Sequence, residues 1–263
     1  MDKRINGRQY GYLTSNNDGK FVQAVKNQQI AGYSVGIVYI ENVHYPMMPG
    51  NVVNAYTYDF PVRMMAVPNL TNDRLFEADP TIADDIIAVA KHMVENEGVR
   101  AISSACGFFG NFHKQVANAV DAPVALSSLI QLPWIKTLIK PNQKVGILTA
   151  NAAALTPELF NSCNIIDHSN IVIKDMMYSE NFAAVVDMRG HFDNGKARDE
   201  VVNAALTLFE EDNDIGAILM ECSDMPPYAA AIQEATQLPV FDFITMIKWL
   251  HHAVMQRPYS GWI

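Results

Sequence analysis

VRAISSACGFFGNFHKQVANAVDAPVAL (99–126) and IGAILMECSDMPPYAAAIQEATQLPVFD (215–242) read as two copies of one unit. Aligned without gaps, Ala101 falls on Ala217, Ile102 on Ile218, Cys106 on Cys222, Ala119 on Ala235, Pro123 on Pro239 and Val124 on Val240, each 116 residues on. A second pair of segments repeats as well: Val35-Gly36-Ile37 matches Val145-Gly146-Ile147, 110 residues on. The smaller offset is what one loop insertion between the two segments produces. Repetition of a whole strand–helix–strand unit points to two like domains.

Working outward, β-branched apolar runs alternate with segments of helical periodicity. Strands are expected at 33–40, 60–67, 99–105, 122–128, 144–150, 170–176, 215–221 and 238–243, and helices at 81–98, 114–121, 197–213, 226–237 and 244–256. In the first helix Ile82, Ile86, Val89, Ala90 and Met93 share a face, Thr81 is placed as its N-cap and Gly98 as its stop. Such alternation predicts mostly parallel sheets with helices on both faces, and binding sites beyond the carboxyl ends of the strands. The junction between the copies falls near 128–143, giving domains of 1–128 and 129–242, with the last helix (243–263) packing back on the first.

Composition narrows the function. Hydrophobic residues make up 49% and charged residues 18%, a globular balance. Nineteen Lys+Arg against 28 Asp+Glu leave a net charge of −9, so there is no basic field for nucleic acid. An acidic ligand has to be held by a local site. No apolar run approaches the roughly 18 residues of a membrane span. Residues 1–20 are polar with no apolar core behind their charges, so export is not expected and the cytoplasm is. No phosphate-binding glycine loop, serine-hydrolase elbow or metal-ligand spacing is present, and no cofactor or metal is expected.

Three cysteines, Cys106, Cys163 and Cys222, cannot make a disulfide framework. Cys163 lies outside the repeat and reads as structural. Cys106 and Cys222 end equivalent strands and would face each other across a cleft, each before a helix start that favours thiolate. A matched pair of thiols on opposite faces of one carbon suits acid–base chemistry. One removes a proton from Cα, the other delivers one to the far face, and fixed N–H donors hold the intermediate's carboxylate.

In these motifs the chain resembles the aspartate/glutamate/hydantoin racemase superfamily, from Tyr33 to the final helix. ISSACGFFGNF (102–112) corresponds to the first cysteine motif, and AILMECSDMPPYA (217–229) looks like the family's Gly-Cys-Thr-Glu-Leu-Pro segment. Glu221 stands in place of the Gly, Ser223 for the Thr and Asp224 for the Glu. In the first motif, Cys106-Gly107-Phe108 replaces Cys-Asn-Thr, so only the backbone N–H groups of Gly107 and Phe108 are left there for a carboxylate.

The resemblance implies two pseudo-symmetric Rossmann-like (flavodoxin-like) α/β domains with the active site between them, and no cofactor. It implies a racemase or epimerase with Cys106 and Cys222 as acid/base pair and a small carboxylate-bearing substrate, an amino acid first. It is compatible with a homodimer. Substrate-binding candidates are Asn51, Gly107, Phe108, Thr149, Ser223 and Asp224. Asn51 reads equally as a turn residue, and Phe108, Phe109 and Phe112 as an apolar wall or as packing. Arg63 reads as a carboxylate anchor or a surface residue, and His113 as a helix-surface residue. The alternatives are an isomerase or decarboxylase of a small dicarboxylate on the same fold, or a non-catalytic small-molecule binder.

Overall fold

The computed structural model describes residues 27–263; the N-terminal stretch 1–20 lies outside the described residues. The first sheet takes β1 (Val35–Ile40), β2 (Val62–Val67), β3 (Ala101–Ser104) and β4 (Val124–Ala125) in the order β2-β1-β3-β4, all parallel. The second takes β5 (Lys144–Thr149), β6 (Ile171–Asp175), β7 (Ile215–Met220) and β8 (Val240–Phe241) in the order β6-β5-β7-β8, again parallel. The fold is α/β, with helices flanking both sheets.

The repeat read from sequence is a repeat of register. Val35 pairs with Ala101 and Gly36 with Ile102; Val145 pairs with Ala217 and Gly146 with Ile218. Ile102 opposes Val124 as Ile218 opposes Val240. Past the strand ends the match continues. The Ala105 amide donates to Val38 O at 2.9 Å and the Glu221 amide to Leu148 O at 2.8 Å. Because the two chain paths coincide, residues at 106 and 222 leave their sheets at the same point.

Helix α1 (Asn72–Phe76) is a short turn capped by Thr71. Helix α2 (Ala83–Glu95) buries Ile86, Val89, Ala90, Met93 and Val94 at helical spacing against β1 and β2. Each large apolar side chain so buried contributes about 1.5–3 kcal/mol. Thr81 is not its cap. Asp79 accepts from the Thr81 amide one turn earlier, where Pro80 opens a 3-10 segment that leads into the helix. Gly98, at φ +70°, ends it in the left-handed region, as expected. Helix α3 (His113–Ala119) follows β3.

The junction at 128–143 holds a helix of its own, α4 (Leu132–Leu138), whose short apolar run hid it from periodicity. Helix α5 (Pro157–Ser162) also went unread. Thr156 caps it and proline occupies its first position, where no N–H is needed. Helix α6 (Asn194–Glu211) starts three residues before the expected 197, because Asp193 accepts from the Lys196 amide. Helices α7 (Ala229–Thr236) and α8 (Phe243–Val254) complete the chain, the latter held by a capping box of Asp242 and Thr245.

A helix at each end of the second half covers one sheet. Leu132 and Ile135 of α4 share a buried cluster with Val145, Ile147 and Ala217 of the second sheet. Phe243, Met246, Ile247 and Leu250 of α8 pack on Val35, Ile37 and Ala101 of the first. The cluster that holds α4 also contains buried residues of the first sheet, Val38 and Ile102 among them. No helix among the described residues is long and apolar enough to cross a membrane.

Candidate active site

The carboxyl ends of β1, β3, β5 and β7 converge on one cleft. It holds about 390 Å³ of space, part of it continuous with solvent, between Cys106-Gly107-Phe108 on one wall and Glu221-Cys222-Ser223-Asp224 on the other. Both walls have the same backbone. The Phe109 amide donates to Cys106 O at 3.2 Å and the Met225 amide to Cys222 O at 3.3 Å. The Phe108 amide serves the Cys106 sulfur, and the Asp224 amide the Cys222 sulfur. Thus both thiols sit at tight turns that aim an N–H at sulfur.

Those N–H groups do not make thiolates. Burial raises the Cys106 thiol well above its ordinary value and Glu221 adds to the rise. Cys222 is pushed up by burial, then by Asp224 and Glu221. The expectation that the helix starts would favour thiolate is corrected: desolvation and two neighbouring carboxylates outweigh one amide each.

The carboxyls are themselves shifted. Glu221 is fully buried, its Oε2 accepts from Thr149 Oγ1 at 2.9 Å, and the Ala150 amide favours the ionised carboxyl. Burial still raises it to about 7, with Asp224 adding to the rise. Asp224 is held by the Asn51 amide, the Tyr45 hydroxyl, Ser223 and the Cys222 thiol, whose sulfur lies 3.7 Å from Oδ2. Burial prevails over these donors and lifts Asp224 to about 6. Tyr45 is pushed up by burial and by Asp224, so it stays a neutral donor.

The loop after β1 crosses to the second half to build this cluster. The Val52 amide reaches Ser223 O at 3.4 Å, and Gly50, at φ +100°, lies so close that a Cβ would stand 2.8 Å from the Pro227 Cα. Asn51 does two jobs: its Oδ1 accepts from the Val53 amide, closing the turn, and its amide nitrogen donates to Asp224.

The sequence candidates are brought together unequally. Cys106, Gly107, Phe108, Cys222, Ser223 and Asp224 line the cleft; Asn51 and Thr149 stand behind it, bonded to Asp224 and Glu221. Phe108 packs edge-on against Phe76 at 4.8 Å, whereas Phe109 and Phe112 belong to the core. Cys163 is buried with its sulfur 3.8 Å from Gly110 O, a structural place. Arg63 is no carboxylate anchor. It lies near the start of β2, away from the cleft, in a two-pronged ion pair with Glu97 at 2.6 and 2.9 Å. His113 is buried rather than on a helix surface, because Phe112 and Val116 carry that side of α3 inward.

Tyr45 and the carboxyl of Glu221 escaped sequence reading as site groups. Glu221 differs from the racemase-like motif, and that departure was the available signal. Tyr45 lies in an aperiodic loop that gave none. Among the described residues, those lining the cleft include two acids and no Lys, Arg or His.

No family model matches the chain. The dimethylsulfoniopropionate lyase of Durusdinium sp. clade D is 31% identical over 242 residues, covering 90% of this chain and 80% of that protein. Dimethylsulfoniopropionate lyase 7 of Emiliania huxleyi strain CCMP1516 is 29% identical over 237 residues, covering 87% and 69%. Among solved structures, an allantoin racemase from Pseudomonas fluorescens superposes with a TM-score of 0.60 at 12% identity, over 87% of this chain and 99% of that one. An arylmalonate decarboxylase superposes with 0.56 at 13%, over 87% and 94%. A glutamate racemase from Bacillus anthracis superposes with 0.53 at 10%, over 85% and 83%.

The fold is therefore that of the aspartate/glutamate/hydantoin racemase superfamily, as the motifs implied. The activity read from it is corrected. The relatives by sequence are lyases, which overturns the expected isomerase, a racemase or epimerase of an amino acid. The alternative of another reaction on the same fold stands nearer. The physical reason is that fold and paired thiols serve any chemistry that starts by loosening a Cα proton, so they do not say what leaves next.

Proposed function

The chain belongs to the dimethylsulfoniopropionate lyase family, and from that premise we propose that it cleaves dimethylsulfoniopropionate into dimethyl sulfide and acrylate. The observation that carries this reading is the charge of the cleft: among the described residues it is lined by two carboxyls, two thiols and no basic side chain. An amino-acid or dicarboxylate site needs a cation or a dense set of donors for its acids. A zwitterion with a sulfonium on the carbon next to Cα brings its own cation to a wall that supplies the anion.

The reaction is a β-elimination. Cys222 removes a proton from Cα; that C–H electron pair becomes the Cα–Cβ double bond. The Cβ–S bond breaks with its pair going to sulfur, so the sulfonium leaves as neutral dimethyl sulfide and acrylate remains. Cys222 acts as thiolate: its own proton passes first to Asp224 Oδ2, 3.7 Å from the sulfur, it takes the proton from Cα, and Asp224 then releases one proton to solvent, so the substrate loses one proton in all. An ionised Asp224 disfavours a thiolate beside it until it accepts the thiol proton, and the sulfonium drawn to this wall offsets the negative charge that the pair carries. Ser223 and Asn51 hold Asp224 in place, while Phe108 against Phe76 gives the sulfonium methyls an aromatic surface. The Gly107 amide faces the carboxylate, the Phe108 amide being taken by the Cys106 sulfur. Cys106 lines the opposite wall and transfers no proton.

The test is to incubate purified protein with dimethylsulfoniopropionate and follow acrylate's vinyl protons by NMR together with headspace dimethyl sulfide. Equimolar appearance of both is expected. No acrylate from folded protein at any pH between 5 and 9 would sink the reading.

A further inference from the structure

One carboxyl oxygen at the cleft has no partner. Glu221 is fully buried, its Oε2 accepts from Thr149, and its Oε1 has no hydrogen-bond partner among the described residues. A buried polar atom left unpaired costs free energy, so a site that keeps one keeps it for something that arrives.

Its position says what arrives. A Cβ added at Gly107 would stand 1.7 Å from Glu221 Oε1 and 2.5 Å from its Cδ. The carboxyl therefore fills, from the opposite wall, the place a side chain at 107 would take. It presents Oε1 at the turn after Cys106, where the lyase reading puts the ligand's carboxylate. An ionised Glu221 there would repel that carboxylate, and among the described residues no Lys, Arg or His lines the cleft to offset the repulsion.

We propose that Glu221 bears a proton on Oε1 and donates it in a hydrogen bond to the ligand's carboxylate, gripping it and stabilising the negative charge that gathers there as the Cα proton leaves. The identity of the ligand rests on the lyase reading; the grip itself does not. A neutral carboxylic acid acting as donor to a developing oxyanion is an established device where burial keeps the acid protonated. The groups facing Glu221 agree in sign: Asp224, Cys222, Cys106 and Cys163 are all acids, and Asp224 disfavours a second negative charge. Tyr45 faces Asp224 as a neutral donor.

Calorimetric binding of two half-ligands to the whole chain tests this without turnover: propionate, a carboxylate with no cation, and trimethylsulfonium, a cation with no carboxylate. Propionate should bind the wild type about tenfold more weakly at pH 8 than at pH 6, as Glu221 ionises. Glu221→Gln, an amide donor, should lose all but about threefold of that dependence and keep its pH 6 affinity. Glu221→Ala should weaken propionate about tenfold at pH 6. Thr149→Val removes a donor that favours the ionised form, so it should move the loss to higher pH.

The proposal is overturned if wild-type affinity for propionate does not change with pH, or if Glu221→Gln keeps the full dependence. It is also overturned if the Gln variant loses trimethylsulfonium instead of propionate, since Glu221 would then be the cation's partner. Should the protein release no dimethyl sulfide, the lyase reading falls and the propionate result still stands. Should it turn over and bind propionate independently of pH, Glu221's part falls alone.

Discussion

The two halves share a backbone and differ in charge. Register, strand order and the turns after Cys106 and Cys222 coincide. The side chains on those turns do not: Ala105 faces Glu221 across the repeat, Gly107 faces Ser223, and Phe108 faces Asp224. One wall is apolar and offers backbone donors; the other is acidic. A racemase exchanges one proton for another on opposite faces, which suits two alike walls. An elimination takes one proton and releases a neutral group, which suits two unlike walls.

The largest test of that difference is a pair of thiol deletions. Cys222→Ala should lower kcat/KM for dimethyl sulfide release on the order of 10³-fold, as removal of a general base does. Cys106→Ala should cost no more than about tenfold, by loss of packing in the cleft. Equal losses would restore the symmetric arrangement and break the comparison. Headspace gas chromatography on the two variants decides it.

Asp224→Asn should come next, at about 10²-fold in kcat/KM, because it removes both the anion for the sulfonium and the acceptor beside Cys222. The wild-type profile sharpens this. Activity should rise as Asp224 ionises through about 6 and fall as Glu221 ionises through about 7, a narrow bell. The Asn variant should lose the acid limb. The same substitution at the repeat-equivalent position, Phe108→Asn, removes no charge and should leave the shape of the profile intact.

Much of this was legible in the sequence, and the parts that were not have common causes. The cysteine pair and the Gly36/Gly146 pair could be found because each residue has a partner elsewhere in the same chain. The parallel sheets followed from apolar runs alternating with helical spacing. Helix α4 was lost because LPWIKTL has too few turns for periodicity to show and was taken as a junction. Tyr45 was lost because its loop has no periodicity, and only tertiary packing carries it to Asp224. Glu221 was visible as a departure from the family motif, but its meaning lies in the space left by Gly107. The net charge of −9 counts the surface and does not report a cleft without a cation. The chemistry of the leaving group was beyond the motifs, which the fold shares with enzymes that release different things.

Glu221 also separates the halves in stability. Its carboxyl is raised from 4.5 to about 7 in the folded state, so the folded chain holds that proton more tightly than the unfolded one. The stability this adds is present below pH 4.5 and is lost as pH rises to about 7. Glu221→Gln carries no such loss. At pH 8 it should be more stable than the wild type by roughly 1–3 kcal/mol, and at pH 4 the gain should vanish. Urea midpoints at the two pH values, with unchanged slope, would show it. Ala105→Ser at the equivalent position of the first half should show no pH-dependent difference.

The smallest contrast lies under the sheets, at the glycines that the repeat places on β1 and β5. A Cβ on Gly36 would stand 2.9 Å from both the Met93 sulfur and Val99 Cγ1, and 3.2 Å from Ile102 Cδ1. On Gly146 it would stand 3.2 Å from Leu208 Cδ1 and 3.5 Å from Ile215 Cγ2. Neither glycine has a positive φ, so the cost of a methyl is steric alone. At Gly36 three side chains crowd the site, and Met93 and Val99 are both fully buried, with nowhere to retreat. Gly36→Ala should therefore destabilise by about 1–3 kcal/mol, the range for overpacking a tight core. At Gly146 one leucine end must give by a few tenths of an ångström. The narrower conformational range of alanine in the unfolded chain offsets part of that, by about 0.4–1 kcal/mol. Gly146→Ala should fall within about 1 kcal/mol of the wild type. Denaturant midpoints of the two variants would show whether the helices of the two halves sit on their sheets equally closely; equal shifts would mean that they do, and that the asymmetry of this chain is confined to its cleft.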